Sequence, residues 1–327
     1  MQLFNKHTLR ERKNSKLYKI ALILLLVSAV LNLAALAYKQ YANDNNLLGE
    51  DYYTVYEAGA PLEDKYARKG SFETASVTED SGDSAVGKIH VYYPAEAKSS
   101  GKRYPLVIVV SPKETPASSY LPFLDRLASW GFIVAGNEDA DSGNGDGASL
   151  TLDHMLYESS VMGYIDSAYV GITGYSLGGA GALSAATTHD NGFLYKAIFT
   201  GSAPYPKLAE SNGWDYDASK ISAAYFMTAS TSSDDDKGIR DINEEYGGIS
   251  PLKGLWKIYA AMPEGVPKLV ARATDSKHDE MLIRSDGYMT AWMLYWLTGD
   301  EEAGAAFLGS DAEILSNPNW QDLKVGR

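Results

Sequence analysis

Ser176 lies in Gly174-Tyr175-Ser176-Leu177-Gly178-Gly179, directly after the β-rich stretch Tyr169 to Thr173 and directly before a Gly/Ala-rich stretch from Leu177 to about Thr188. A Gly-x-Ser-x-Gly motif placed between a strand and a helix makes a sharp turn that pushes the serine hydroxyl out over a sheet. Gly174 and Gly178 are required because that turn brings backbone segments too close for a Cβ. The helix that follows presents its positive end, so the amide of Leu177 is a candidate donor to a developing oxyanion.

A serine hydroxyl attacks only when a base takes its proton. The chain has five histidines. His7 lies in the basic N-terminal segment, and His90 and His154 precede the serine. His189 falls at the far end of the helix that Ser176 opens, about 18 Å away by helix rise. That leaves His278, in the polar loop Thr274 to Glu280 after the strand Lys268 to Ala273. An acid is then needed to hold the imidazole's tautomer and stabilise the imidazolium. Asp234, Asp235 and Asp236 follow the strand Ala223 to Ala229, where chain order places such a group. Spacing does not separate the three; Asp235 is the first choice, Asp234 and Asp236 the fallbacks, and the two not used are expected to be a solvated charge run.

The elements that must carry these residues alternate. Strands are expected near Ser71 to Val77, at Lys88 to Tyr93, Leu106 to Val110, Phe132 to Ala135, Tyr169 to Thr173, Ala197 to Thr200 and Ala223 to Ala229, with Lys268 to Ala273 the last. Helical patterns occupy Tyr120 to Trp130, Leu152 to Ser159, Leu177 to Thr188 and Asp286 to Leu297. Short β-branched runs alternating with helices mean a mostly parallel central sheet with helices on both faces, in one α/β domain.

At 327 residues, 45% of them hydrophobic, the chain can bury a substantial core. A net charge of −13, with no basic cluster after the N-terminus, argues against nucleic acid as a partner. The absence of cysteine excludes disulfides, thiolate nucleophiles and Cys-ligated metals. Lys6, Arg10, Arg12, Lys13, Lys16 and Lys19 precede an apolar run from Ile20 to Tyr38, long enough to span a bilayer. The positive-inside rule keeps the cations in the cytoplasm and sends the remainder across. The expected organisation is a basic cytoplasmic segment (1–19), a transmembrane signal-anchor or signal peptide (20–38), a stalk (39–70) and the α/β domain (71–327). Ala35-Leu36-Ala37 fits a signal-peptidase site, so a secreted form stands beside the single-pass anchored one.

Val91-Tyr92-Tyr93-Pro94, Tyr104 to Pro112, Leu127 to Val134, Gly171 to Gly179 and Ala291-Trp292-Met293 carry a family likeness. Over Lys88 to Leu297 the chain resembles the α/β-hydrolase group containing cutinase-like polyester hydrolases, platelet-activating-factor acetylhydrolases and dienelactone-hydrolase-like esterases. The resemblance implies an α/β-hydrolase fold and an oxyanion hole made by Leu177 N–H with an amide just after Ser111-Pro112. Carried over by position, that second donor is Glu114 N–H. The family's usual glycine at this turn is replaced by Lys113.

The acidic stretch Asn137 to Gly147 offers Asp139, Asp141 and Asp146 as oxygen ligands for calcium but lacks the glutamate that closes an EF-hand loop, and is read as a flexible loop at the site's rim. The 23 tyrosines are mostly ordinary surface and core residues. The resulting expectation is a serine hydrolase of carboxylic esters, small or polymeric, working through an acyl-enzyme outside the cytoplasm without metal or organic cofactor. Its rivals are a serine peptidase or acyltransferase on the same fold, and a catalytically inactive, surface-tethered binding module.

Overall fold

Leu106 to Val110 and Ile133 to Ala135 are nearly all apolar and β-branched, a composition that only a strand covered on both faces can bury. In the computed structural model, which describes residues 19, 23–25, 27–29, 48–238 and 247–326, they are the central strands of a nine-stranded sheet among the described residues. In chain order the strands are β1 (Thr74–Asp80), β2 (Lys88–Pro94), β3 (Tyr104–Val110), β4 (Ile133–Asn137), β5 (Ile165–Tyr175), β6 (Tyr195–Gly201), β7 (Ala224–Ser230), β8 (Lys268–Ala273) and β9 (Trp320–Gly326). Their spatial order is β1-β2-β4-β3-β5-β6-β7-β8-β9. The run from β4 to β8 is parallel, whereas β1, β2 and β9 are antiparallel to their neighbours.

The longer helices are α1 (Pro61–Ala67), α2 (Leu121–Ala128), α3 (Asp146–Tyr157), α4 (Leu177–Thr188), α5 (Leu252–Ala261) and α6 (Asp286–Thr298). Alternate side chains of β3 serve opposite faces, as strand geometry requires. Leu106, Ile108 and Val110 join a cluster with Leu152 of α3, Leu183 of α4 and Ile258 of α5. On the other face Phe226 packs against Phe199 and against Trp292 of α6, with ring centroids 5.0 and 5.5 Å apart. This is the expected α/β architecture, with a mixed sheet and helices on both sides. β9 overturns the expectation that β8 is the last strand. Its alternation is weak and largely exposed, so it forms because β8 offers an edge to pair with.

The chain divides into two units, Met1–Gly49 and Glu50–Arg327. The apolar run 20–38 lies for the most part outside the described residues, and among the described residues no helix is long and apolar enough to cross a membrane. The stalk expected over 39–70 needs correction, because from Glu50 onward the chain is part of the larger unit. Pro61 starts α1 with its fixed φ, and Tyr66 of that helix is fully buried.

A buried polar cluster fastens this segment down. Arg126 of α2 and Asp286 at the start of α6 form an ion pair with both side chains inaccessible to solvent. Tyr52 Oη donates to Asp286 Oδ2 at 2.6 Å and accepts from Arg126 Nε at 2.8 Å. Arg126 also donates to Tyr66 O at 2.9 Å and to Thr290 Oγ1 at 2.8 Å. Two buried charges are tolerable only when their hydrogen-bonding capacity is filled, and removing one partner leaves the other uncompensated. Asp286→Ala is therefore expected to destabilise the domain by about 3–5 kcal/mol in denaturant titrations. Glu302→Ala, which breaks the exposed Lys65–Glu302 pair, should cost less than about 1 kcal/mol.

Candidate active site

β5 runs into Ser176 and α4 leaves from it, so the serine takes up the whole change of direction, with φ 53° and ψ −124°. A non-glycine residue at positive φ is strained and persists only where its surroundings over-determine it. Here Ser176 N–H donates to Gly201 O of β6 at 2.8 Å, and Ser176 O accepts from Gly179 N–H at 2.9 Å. The flanking glycines are sterically required. A Cβ on Gly174 would lie 2.0 Å from Gly178 O, and one on Gly178 would lie 2.3 Å from Val110 O and 2.5 Å from Ser111 O.

His278 opens a single 3₁₀ turn, His278–Glu280, in the loop after β8. Its Nε2 is 2.9 Å from Ser176 Oγ and its Nδ1 is 2.6 Å from Asp235 Oδ1. A carboxylate only accepts, so Nδ1 carries the proton and Nε2 is left as an acceptor facing the hydroxyl. Such an arrangement is able to take the serine proton as the oxygen attacks and return it to a leaving group.

Asp235 is completely buried. Its other oxygen, Oδ2, accepts from Ser202 Oγ at 2.5 Å and from the backbone N–H of Ser230 at 2.8 Å. Three donors thus compensate one buried charge. Ser202 and Ser230, at the ends of β6 and β7, were not anticipated from the sequence, since neither is near Asp235 in any recognisable motif. The neighbouring aspartates diverge. Asp234 is exposed. Asp236 is not the solvated charge expected of it: it pairs with Arg272 of β8 at 2.9 Å, and both side chains are largely covered.

The presumed oxyanion donors fare differently. Leu177 N–H, at the first turn of α4, has no acceptor among the described residues. Glu114 N–H is already committed, donating to Ala140 O at 2.9 Å, and Glu114 itself has a positive φ of 55°. The expectation for Glu114 therefore meets a competing acceptor: in the turn at Lys113-Glu114 this amide is engaged by Ala140 O and braces the loop. Lys113 N–H, one residue earlier, has no acceptor among the described residues.

The acidic loop from Asn137 to Gly147 supports that turn. Ser142 Oγ donates to Ser111 O at 2.6 Å, and Asn137 Nδ2 donates to Thr151 Oγ1 at 2.8 Å. Its carboxylates have separate partners, Asp139 accepting from Asp141 N–H at 2.9 Å and Asp146 meeting His189 at 2.9 Å. Among the described residues no group of three or more His, Asp or Glu side chains is placed to hold a metal ion. These bonds tie the stretch to its surroundings, and α3 already begins at Asp146. Beside the serine turn, a cavity of about 20 Å³ is lined by Pro112, Phe123, Tyr175, Leu282 and Met289, among others, and is nearly all apolar.

Gly178→Ala tests the steric basis of the site. The methyl group must displace backbone of β3, so a loss of at least about 3 kcal/mol of stability is expected, at the upper end of overpacking penalties. Denaturant titration reads the stability, and loss of fluorophosphonate labelling of Ser176 reads the geometry.

Residues 56–211 match the family described as PET hydrolase-like. That region includes Ser176 but ends before Asp235 and His278. A bis(hydroxyethyl) terephthalate hydrolase of Streptomyces coelicolor is 34% identical over 140 residues, covering 40% of this chain and 44% of that protein. Cutinase est1 of Thermobifida alba is 34% identical over 133 residues, covering 37% and 42%. Lipase 1 of a Moraxella species is 34% identical over 102 residues, covering 30% and 32%. The chain spans less than half the length of the curated relatives it matches. With the parallel sheet, the strained serine turn and these relatives in agreement, the chain is similar to the cutinase-like α/β-hydrolase esterases.

Proposed function

We propose that this protein is a serine hydrolase of carboxylic esters that works through an acyl-enzyme, with Ser176 as nucleophile, His278 as general base and acid, and Asp235 as the residue that orients His278. The observation that carries the proposal is the pair of contacts made by one imidazole, 2.9 Å to the serine hydroxyl and 2.6 Å to a buried carboxylate. Ser176 Oγ adds to the ester carbonyl while its proton passes to His278 Nε2. The carbonyl oxygen becomes an oxyanion, held by Leu177 N–H and Lys113 N–H in place of Glu114. The C–O bond to the alcohol breaks, the alcohol leaves with the proton from His278, and the acyl group stays on Ser176. Water then attacks the acyl-enzyme with His278 again as base, releasing the acid.

Relatives named for bis(hydroxyethyl) terephthalate and for cutin support small or polymeric esters as the substrate class. The reaction as written uses only side chains and amides of this chain. A peptidase or acyltransferase would use the same three residues; the ester hydrolase should turn over small acyl esters with water as acceptor, whereas a peptidase should in addition cleave a peptide of defined length and an acyltransferase should prefer an added alcohol or amine to water. An inactive binding module would leave Ser176 unlabelled by a fluorophosphonate, since only an activated serine reacts.

The site of action in this reading is outside the cytoplasm. Six cations lie before the apolar run 20–38 and none within it, which supports a single-pass anchor with the hydrolase domain exported, or a secreted form if the segment is cleaved. Protease added to intact cells should digest the region after Tyr38 and spare residues 1–19. Protection of the Ser176 domain would refute export.

Ser176→Ala should lower kcat by about 10⁶ on any ester the wild type accepts, with the fold retained. Asp235→Asn should lower it by about 10⁴, because the amide holds the imidazole in the wrong tautomer. Asp234→Asn should stay near wild type, since the carboxylate is exposed and screened. Asp236→Asn should reduce stability, through Arg272, more than it reduces kcat. Three purified variants assayed on one ester decide the acid, and wild-type activity in Asp235→Asn would overturn its assignment.

A further inference from the structure

The proposed chemistry does not use Tyr175, the residue before the nucleophile, yet Tyr175 contacts the base twice. Its hydroxyl donates to the backbone carbonyl of His278. Its ring lies beside the imidazole, with centroids 5.3 Å apart and planes inclined by 39°. Tyr175 ends β5 in register with Gly201 of β6, so its own backbone is held by the sheet.

The loop carrying His278 is tied at its start, where Thr274 N–H donates to Asn319 O at 2.9 Å and Thr274 Oγ1 to Pro318 O at 3.2 Å, and its main chain around His278 is otherwise held by bonds near itself in sequence. Ser276 Oγ donates to Ala273 O at 2.7 Å, Lys277 N–H donates to Glu280 Oε2 at 2.9 Å, and Met281 N–H closes the turn on His278 O. Asp275, at a φ of 49°, bends the chain immediately before it. Local bonds of this kind shape a loop without fixing its distance from another element. The Tyr175 hydroxyl reaches across from the strand end that carries Ser176 and fixes that distance at the backbone of the base. Burial, together with the negative charges of Asp235 and Asp279, pushes the Tyr175 hydroxyl well above the ordinary range for a phenol. It therefore remains a donor throughout the working pH range, and a carbonyl can only accept.

We propose that Tyr175 is a positioning residue: its hydroxyl ties the backbone of His278 to the strand end bearing Ser176, so that nucleophile and base are held to one rigid frame. This rests on the ester-hydrolase reading above for its kinetic consequence, but the tie itself is a property of the resting protein. Asp235 fixes the imidazole at Nδ1 and the Tyr175 hydroxyl fixes the main chain. Together the two contacts leave Nε2 little freedom to drift from Ser176 Oγ.

Tyr175→Phe keeps the ring and removes only the hydroxyl. Expected is a fall in kcat of about 10–100-fold with KM unchanged, the scale set by sub-ångström to ångström misplacement of a catalytic group. The rate of Ser176 labelling by a fluorophosphonate should fall in parallel. Without any substrate, proton NMR of the wild type should show a far-downfield Nδ1 proton on His278, and in Tyr175→Phe that signal should broaden or vanish into exchange with water. A kcat within about twofold of wild type, or an unchanged downfield proton, would overturn the proposal. Failure of the wild type to hydrolyse any ester or to label would count against the ester-hydrolase reading instead, and the NMR comparison would still decide the role of Tyr175.

Discussion

Three stretches of backbone meet at the serine turn with no room for a side chain between them, and the site's geometry depends on that approach. The Cβ that any other residue would place on Gly174 or Gly178 falls 2.0 to 2.3 Å from a carbonyl oxygen of α4 or β3. Closeness here does three things at once. It drives Ser176 into a conformation it would not otherwise adopt, lifts its hydroxyl clear of the sheet, and sets the Ser111-Pro112 turn of β3 against the first turn of α4. The free amides of Leu177 and Lys113 belong to those two turns. One steric constraint therefore places both the serine hydroxyl and the amides proposed to receive negative charge.

Two buried carboxylates bracket this centre, and both obey the same rule. Asp235 is compensated by Ser202, Ser230 N–H and His278, and Asp286 by Arg126 and Tyr52. A carboxylate without such donors would cost several kcal/mol to bury, so each one dictates where its partners must lie. Asp235 joins the ends of β6 and β7 to the loop after β8. Asp286 joins α6 to α2 and, through Tyr52, to the segment before the first strand. The chain just after His278 enters α6 at Asp286, so the anchored start of α6 also bounds the loop that carries His278.

The loops that frame the site are braced by polar contacts rather than by apolar packing. Ser142 holds the Ser111 carbonyl, Ala140 takes the Glu114 amide, and Tyr175 takes the His278 carbonyl. Backbone groups in such loops need partners wherever water is excluded, and side-chain hydroxyls supply them without adding charge. Lys113 and Glu114, by contrast, expose most of their side chains beside the presumed oxyanion loop. The chain turns at Glu114 with a φ of 55°, and with the Glu114 amide taken by Ala140 O it is the Lys113 amide that is left without an acceptor among the described residues.

The sequence by itself determined the parallel strands, the serine turn and the histidine that meets it. Those features are encoded locally, in β-branched runs, in glycines at a turn that tolerates nothing larger, and in a histidine that chain order and the length of one helix leave without a competitor. It did not reveal α1, α5 or β9. Each is short or partly exposed, and β9 alternates too weakly to announce itself, forming because β8 presents an edge. Nor does local sequence separate Asp234, Asp235 and Asp236, identical in type and adjacent in the chain. Successive side chains in a turn point in different directions, and only the packed ends of β6 and β7 decide that one is buried against His278 while another meets Arg272. The amide of Glu114 shows the same limit: position along the chain made it a donor to the site, and a carbonyl from a distant loop claimed it. Tertiary structure decides wherever a residue's role depends on a partner far away in sequence, because direction and distance between separate segments have no local code.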